Sequence, residues 1–583
     1  MVRPTTVSRR RLLATGAAVS GAAVAGCIGG DGNGSGPGDG DGLVDPEDFQ
    51  YDREEPDDEE AVRDSEIHYT QEQARAEDFD PIVSNDAYSF QVFTQVFDGL
   101  YEYDDGLGLT PKLATGEPAV ENDGTRFVYE IVDGAEFSNG NPVTAADVEH
   151  SFIAPVLEQT ENAPTYSVIE STEVVDDRTL QVDLAEPFGP WQIMTQAVTV
   201  VSKEDRLTDV EAYDEATPDT IEAAPDAVTE YVDTAYNDDP VENTIGSGPF
   251  EFESFELNGP ATLVRRDDYW GDPTPYLQRV TFEAAADPSS RVSQIQADDT
   301  DVISGIPDNT WPELDQDGIR RHMSESPSYM YLAFNCTDEA DTSSPEVRRA
   351  VCQSFSMQDF VETNASNTAQ PITTPVPPIT NEQWGFPMDE WNDEYYPEYD
   401  PDNAESLLNE HAPDDFNPTI ICPEGIRADL AERIATRLDE LGYGAQVQVL
   451  DFGTLVDTYV TGNPDDYEMY LLGWTGGPDP DTYLYNLFHE DSAGLNQGHF
   501  YEGSDTFHEN ILAARQTADQ EERYDLYEPV LIEILEELPA LPAFTQHNTM
   551  AAGTHVKDLH AHPDVSTNPQ LAREYGNVWV DDS

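Results

Sequence analysis

The sequence predicts an α/β fold, and residues 418–489 carry the prediction. Three strand-like runs alternate there with two helical ones, which is the order of a parallel sheet with crossover helices. A strand pair followed by a helix at 120–153 points to the same class. In chain order, Asp123-Gly124 is a turn signal and Phe127–Ile131 a strand. Asn141-Pro142 followed by Thr144-Ala145-Ala146-Asp147 reads as a helix start, with Pro early and a Thr-x-x-Asp capping pattern. Residues 206–240 are acidic and alanine-rich and are expected to form a surface insertion. Thr419–Cys422 reads as a short buried strand. Leu430, Ile434, Leu438 and Leu441 recur at helical spacing over 427–441, and Gly442 stops that helix. Gln446–Leu450 alternates as a strand, 453–460 is helical, and Tyr467–Leu472 is again a strand. In such sheets ligands bind beyond the carboxyl ends of the strands. There lies Gly473-Trp474-Thr475-Gly476-Gly477-Pro478-Asp479-Pro480-Asp481, a Gly/Pro-rich loop with an indole and two carboxylates.

Composition narrows the function. The chain has 583 residues, room for two to four subdomains. Lys plus Arg total 27 against 118 Asp plus Glu, a net charge of -91. Only Lys112, Lys203 and Lys557 are lysines. Apolar content of 38% and aromatic content of 10% argue against disorder. Self-repulsion on this scale is screened in molar salt, where the Debye length is about 3 Å. The composition resembles that of haloarchaeal proteins, and the acidity reads as adaptation to salt. Nucleic-acid binding is excluded, because the phosphate backbone needs a basic face. No second apolar run approaches the roughly 18 residues of a spanning helix.

The N-terminus specifies a compartment. Ser8-Arg9-Arg10-Arg11 precedes a short Ala/Gly/Val stretch that ends in Val24-Ala25-Gly26-Cys27. An arginine pair before a short apolar segment is a twin-arginine export signal. The terminal tetrapeptide resembles the lipobox of prokaryotic lipoproteins, which implies lipid attachment at Cys27 and a protein tethered outside the cytoplasmic membrane. Residues 28–42 contain eight glycines, and acidic sequence runs on to Glu60. A segment that cannot bury apolar surface is expected to be a flexible tether. The remaining cysteines, Cys336, Cys352 and Cys422, are odd in number and show no CxxC spacing; Cys336 and Cys352 could pair outside the cell, but isolated buried thiols are the expectation. His547, His555, His560 and His562 form the densest histidine group, without a metal-site spacing; no metal or cofactor is implied.

Several blocks, in order from about residue 66 to 545, resemble the substrate-binding proteins of peptide/nickel-type ABC importers, family 5. They include Val96-Phe97-Asp98-Gly99-Leu100-Tyr101, Thr110-Pro111-Lys112-Leu113-Ala114, and Phe137-Ser138-Asn139-Gly140 with Val143-Thr144-Ala145-Ala146-Asp147-Val148. Ile245–Phe250 with Tyr269-Trp270, Tyr331–Asn335 with Val347–Ala350, and Tyr399-Asp400-Pro401 continue the series. The resemblance implies two α/β lobes of the type II periplasmic-binding-protein-like fold, with an extra subdomain in lobe I and the ligand in the cleft between lobes. Mapped onto this chain, 1–27 is the signal and 28–60 the tether. Lobe I takes 61–99, 189–325 and 541–583, the extra subdomain 100–188, and lobe II 326–540.

The resemblance also implies site residues. Trp474 stands at the family's Gly-Trp position, where backbone and indole line the cleft, and Thr475, Gly476 and Gly477 follow it. Peptide binders carry a carboxylate three residues after that Trp, which grips the ligand's α-ammonium; here that position is Gly477. Asp479 or Asp481 can substitute through a charge-assisted bond, or both can serve as a Pro-Asp-Pro-Asp helix cap. Asp86, Ala87 and Tyr88 align with the lobe I strip that contacts ligand backbone. Tyr329 and Tyr331 fall near the lobe crossover, as hinge or cleft residues. The implied function is that of a monomeric, non-enzymatic receptor that delivers a solute, a di- or oligopeptide first, to a membrane permease. Oligosaccharides, nickel chelates and a ligand-sensing role are the alternatives. A secreted hydrolase is disfavoured: Ser247 lacks the flanking glycines of a nucleophile elbow, and His489-Glu490 and His508-Glu509 lack the second zincin histidine.

Overall fold

The structure, a computed structural model, describes residues 43–73, 80–84, 86–160, 162–194, 198–217, 236, 239–256, 259–573 and 576–581. The signal, Cys27, residues 28–42 and most of the 206–240 segment lie outside the described residues. Two sheets form the centre. The first has seven strands in the order Ile319–Ser324, Asn548–Gly553, Val302–Ser304, Glu66–Gln71, Arg279–Ala284, Ala261–Arg265 and Phe250–Phe255. Glu66–Gln71 runs parallel to both of its neighbours, and the outer pairs are antiparallel. The second has six: Ala369–Pro371, Ala540–Gln546, Ser328–Phe334, Met469–Thr475, Thr419–Cys422 and Gln446–Val449. A four-stranded antiparallel sheet between residues 119 and 184 makes the extra subdomain, covered by the helix Ala145–Leu157. That helix starts on the expected capping box, with the Thr144 N–H donating to Asp147 Oδ2 at 2.9 Å.

The alternating segment folds as its pattern predicts. Thr419–Cys422 pairs in parallel with both Gln446–Val449 and Met469–Thr475. The helix Ile426–Glu440 buries Leu430, Ile434 and Leu438, and Gly442 ends it at φ +92°, a conformation that favours glycine. One boundary differs. The last strand reaches Thr475, because it stays paired to Ser328–Phe334 as far as the Ser328/Thr475 match. Trp474 and Thr475 are therefore strand residues, and the loop starts at Gly476.

The chain crosses between the two sheets twice. Ile319–Ser324 of the first sheet continues through residues 325–327 into Ser328–Phe334 of the second, and Ala540–Gln546 returns through His547 into Asn548–Gly553. The two crossings are neighbours, since their strands pair antiparallel on both sides. Paired short connections of this kind are a hinge. The expected return at 541 thus lies later: Leu541, Ala543 and Phe544 are buried in the second lobe's core, which keeps the chain there until His547. Tyr329 and Tyr331 are buried in that lobe and stack at 5.0 Å between ring centroids.

Two further expectations are corrected. Residues 43–54, assigned to a flexible tether, are docked. Phe49 meets Trp311 edge-on at 5.3 Å, the Tyr51 hydroxyl donates to the Arg321 carbonyl at 2.9 Å, and Arg53 pairs with Asp558 at 3.0 Å. At their start, the Val44 N–H donates to Ser366 O at 3.0 Å and Leu43 packs on the second lobe's core. Phe49 and Tyr51 supply the apolar area that the surrounding acidic residues lack. The described part of the 206–240 segment is not simply surface either. Arg206 is fully buried, held by Asp80 at 2.8 Å and Glu158 at 2.6 Å, and Tyr213 and Tyr236 are buried beside this region. Cys336, Cys352 and Cys422 are free thiols, and burial pushes the first two up to about 11 and about 12.

Candidate functional site

Where the lobes face each other, two adjoining cavities open. The larger, about 400 Å³, is walled by the helix Ala87–Val96 through Asp86, Ala87, Phe90 and Thr94. Tyr101, Tyr103 and Tyr166 of the subdomain region, Thr475 of lobe II, and Asp564–Thr567 with Arg573 near the C-terminus complete it. The second, about 370 Å³, lies against the hinge, lined by Ser326–Ser328, Gln546–Asn548, Thr475–Pro478 and Pro563–Val565. Tyr103, Thr475, Asp564 and Val565 belong to both walls. Each volume falls in the range of small-molecule pockets.

The loop after Thr475 is held rigidly. A Cβ on Gly476 would stand 2.4 Å from the Tyr483 ring, so only glycine fits there. The Gly477 N–H donates to Thr482 Oγ1 at 3.0 Å, its carbonyl accepts from Thr380 at 3.0 Å, and the Pro478 carbonyl accepts from the Trp384 indole at 3.1 Å. Beneath it, Arg523 grips Asp479 bidentately at 2.6 and 2.7 Å, with its guanidinium 5.0 Å from the Trp384 ring centroid. Asp479 Oδ1 also accepts the Asp481 N–H at 2.9 Å, so it caps the helix Asp481–Phe488. Asp481 is equally buried and bonded to Arg515. Burial pushes its carboxyl up to about 7, although Arg515 favours the ionised form, and the charge on Asp479 adds to the rise.

The predicted site residues therefore separate into two groups. Thr475, Gly476, Gly477, Asp86 and Ala87 line the cavities. Trp474, Tyr88, Asp479 and Asp481 stand behind the walls. The Trp474 indole donates to Thr482 O at 2.8 Å, and the Tyr88 hydroxyl donates to Glu72 at 2.9 Å. Both loop carboxylates are paired with arginines, Asp479 through both oxygens and Asp481 through Oδ2, while Asp481 Oδ1 is buried without a partner among the described residues. Asp86 Oδ1 accepts the Ser89 N–H at 2.9 Å, and its Oδ2 is buried without a partner among the described residues. Arg573, at the wall, is balanced by Glu102 at 2.6 Å and Asp98 at 3.6 Å. Against the cost of burial these carboxylates hold its guanidinium charged, and Arg573 and Lys112 hold Glu102 below its ordinary range. Such a lining offers aromatic faces, backbone groups and neutralised charge to a polar ligand with apolar parts. Among the described residues no group of three or more His, Cys, Asp or Glu is placed to hold a metal.

Sequence reasoning missed Phe90, Tyr101, Tyr103, His547, Asp564 and Arg573. The C-terminal residues carry no local signal, because only the second crossing brings them back to the cleft. Across the cleft from the hinge residues, the lobes also touch directly: the Gly189 N–H donates to Arg515 O at 2.8 Å, Gln516 donates to Glu186 at 3.0 Å, and the Arg515 guanidinium lies 4.7 Å from the Phe188 ring centroid. A Cβ on Gly189 would sit 2.4 Å from Thr517 O. Gly189→Ala is thus expected to hold the lobes apart and weaken ligand binding roughly five- to 150-fold, the equivalent of a 1–3 kcal/mol clash. Calorimetric titration checks this; unchanged affinity with unchanged small-angle scattering would show that this contact does not govern closure.

Comparison with known proteins agrees with this architecture. The model of bacterial extracellular solute-binding proteins, family 5 Middle, matches residues 108–494. The oligopeptide-binding protein AppA of Bacillus subtilis is 22% identical over 506 residues, covering 83% of this chain and 87% of its own. The glutathione-binding protein GsiB of Salmonella typhi is 24% identical over 504 residues, with coverage of 83% and 90%. Among solved structures, AppA of Bacillus subtilis in complex with a nonapeptide superposes with a TM-score of 0.67 at 20% identity, covering 89% of this chain and all (100%) of the other. DppA from Helicobacter pylori in complex with the peptide STSA gives 0.67 at 22%, covering 90% and 99%. With the family model spanning residues 108–494, about two thirds of the sequence, the chain belongs to the extracellular solute-binding proteins of family 5.

Proposed function

We propose that the protein is the receptor of an ABC importer, lipid-anchored at Cys27, which captures a di- or oligopeptide in the cleft and presents the closed form to a membrane permease. The observation that carries the peptide reading is the pair of adjoining cavities, about 400 and 370 Å³, whose walls share Tyr103, Thr475, Asp564 and Val565, so that together they offer a ligand more room than either alone. The named relatives add support, since AppA and DppA hold peptides in their structures and GsiB is named for a tripeptide. In this reading Thr475, Gly476, Gly477, Asp86 and Ala87 contact the ligand, while Trp474, Tyr88, Asp479 and Asp481 fix the wall behind them. Asp86, Glu102 and Asp564 are the carboxylates of the larger cavity's wall, and a ligand ammonium would find a strong charge-assisted partner among them. The protein acts as a monomer after twin-arginine export, with 28–42 linking the lipid to the docked segment that starts at Leu43. Lobe I holds the seven-stranded sheet, and lobe II runs from Ser328 to Gln546.

The test is native mass spectrometry of protein purified in molar salt from its own host, followed by denaturing release of bound material. A ladder of peptides is the expected result. A sugar, a metal chelate or one defined small molecule would overturn the peptide assignment.

A further inference from the structure

The docked segment that begins at Leu43 touches both lobes. Its far end, Phe49–Glu54, lies on Ile319–Ser324, the strand that leads through residues 325–327 into lobe II. Arg321 stands beside the Phe49 and Trp311 rings, its guanidinium 5.1 and 5.2 Å from their centroids, and Arg320 stands 4.6 Å from that of Tyr51 while pairing with Glu54. The Tyr51 ring meets His322 edge-on at 5.0 Å, and the Trp579 indole donates to Glu54 O at 2.6 Å. The near end is on the other lobe. The Val44 N–H donates to Ser366 O, and Leu43 packs on the lobe II core. Ser366 is a hinge neighbour: two residues on, Thr368 O accepts the His547 N–H at 2.8 Å, and between them the Asn367 N–H reaches Asp308 of lobe I at 2.7 Å. The link between the two ends is stiff. Pro46–Phe49 is a turn of 3₁₀-helix, capped by Asp45, which accepts the Glu47 N–H at 3.0 Å, and Pro46 fixes its own φ. Residues 43–54, Ser366 and Asn367 lie outside the walls of both cavities.

We infer that residues 43–54 are a strap across the hinge, which holds the lobes in their touching arrangement by tying the strand before the first crossing to Ser366 beside the second. Two short crossings leave the angle between lobes free to change, so contacts made in one arrangement and lost in another set the populations. Rotation of lobe II moves Ser366 relative to Trp311 and Arg320, and a stiff link of four residues between Val44 and Phe49 cannot follow with both ends docked. The strap also joins the preceding tether to the body at the pivot, where motion of the lobes displaces it least. It acts whatever the ligand, and so goes beyond the peptide reading without resting on it.

Double electron–electron resonance in molar salt tests the strap without a ligand, on the full mature chain. Spin labels go on Asp133→Cys of the subdomain and Asp491→Cys of lobe II, two exposed positions, with Cys27 and Cys336 replaced by Ser so that neither takes a label. Leu43→Asp with Val44→Pro frees the lobe II end and leaves the lobe I contacts in place. Phe49→Ala with Tyr51→Ala frees the other end. Each double substitution is expected to shift the ratio of touching to separated lobes about tenfold toward longer label distances, the effect of a lost hydrogen bond and lost apolar burial. Distances that stay the same or shorten overturn the strap. A change in only one of the two variants also overturns it, because a strap needs both ends. A wild type with only separated lobes overturns it as well. Should the Phe49/Tyr51 variant fail to fold, the Leu43/Val44 variant decides alone. Should both fail, hydrogen exchange of the wild-type Val44 amide decides: protection supports the strap, and exchange at the rate of an unstructured chain overturns it.

Discussion

Arg523→Met is expected to destabilise lobe II by about 3–5 kcal/mol, the cost of leaving a buried carboxylate without its partner. Asp479 is fully buried and receives both arms of the guanidinium, and no water reaches it to replace them. Asp481 is buried two residues on and already disfavours a second negative charge. For a cooperative unit of about 200 residues the loss lowers Tm by about 6 °C or more. Paired with Asp479→Asn, the same substitution should cost less than Arg523→Met alone, because the double variant buries no unpaired charge. Thermal unfolding of the two singles and the double, each followed in molar salt, reads this directly. Additive losses would mean that the pair is not coupled and that Asp479 is stabilised by something other than Arg523. The result also bears on the ligand: a carboxylate needed to hold Arg523 beneath the loop is not free to grip an ammonium above it.

That loop shows which parts of the site the sequence makes legible. Strand periodicity at 419–472 and the helix stop at Gly442 are local signals, and the structure contains those elements within a few residues. The position of the cleft beyond the strand ends follows from parallel-sheet topology, and Thr475–Gly477 do line it. The direction of each side chain is another matter. Asp479 and Asp481 look alike in a Pro-Asp-Pro-Asp string, and only Arg523 and Arg515, more than 30 residues away, decide that both turn inward. From the sequence Trp474 reads as a loop residue, because strand pairing to Ser328–Phe334 is invisible until both partners are placed. Phe49 and Tyr51 are two aromatics in an acidic run, too few to signal order, and it is Trp311 and Arg320 that recruit them. His547 stands with three other histidines in the sequence, and it lines the hinge cavity only because the second crossing places it there.

The largest effect of all should come from salt. Transfer from about 1 M to about 0.1 M salt lengthens the Debye distance from about 3 Å to about 10 Å, so charges now screened from their neighbours begin to repel. With a net charge of -91, that repulsion acts over the whole surface. The basic residues cannot offset it, because the best placed of them are committed inside: Arg206 to Asp80 and Glu158, Arg523 to Asp479, and Arg573 to Glu102. The buried pairs are screened little at either concentration, so they hold while the surface drives the lobes apart. The expected result is loss of near-UV circular dichroism on dialysis to low salt, with the ligand cleft lost in the same transition. A general screening effect and specific cation sites then give different curves. If screening is the cause, sodium, potassium and tetramethylammonium chlorides restore the signal at the same ionic strength. If carboxylate clusters bind cations, the bulky organic cation fails where sodium succeeds. Full retention of the signal at low salt would overturn the view that acidity here is an adaptation to salt, since a surface so charged would then be stable without screening.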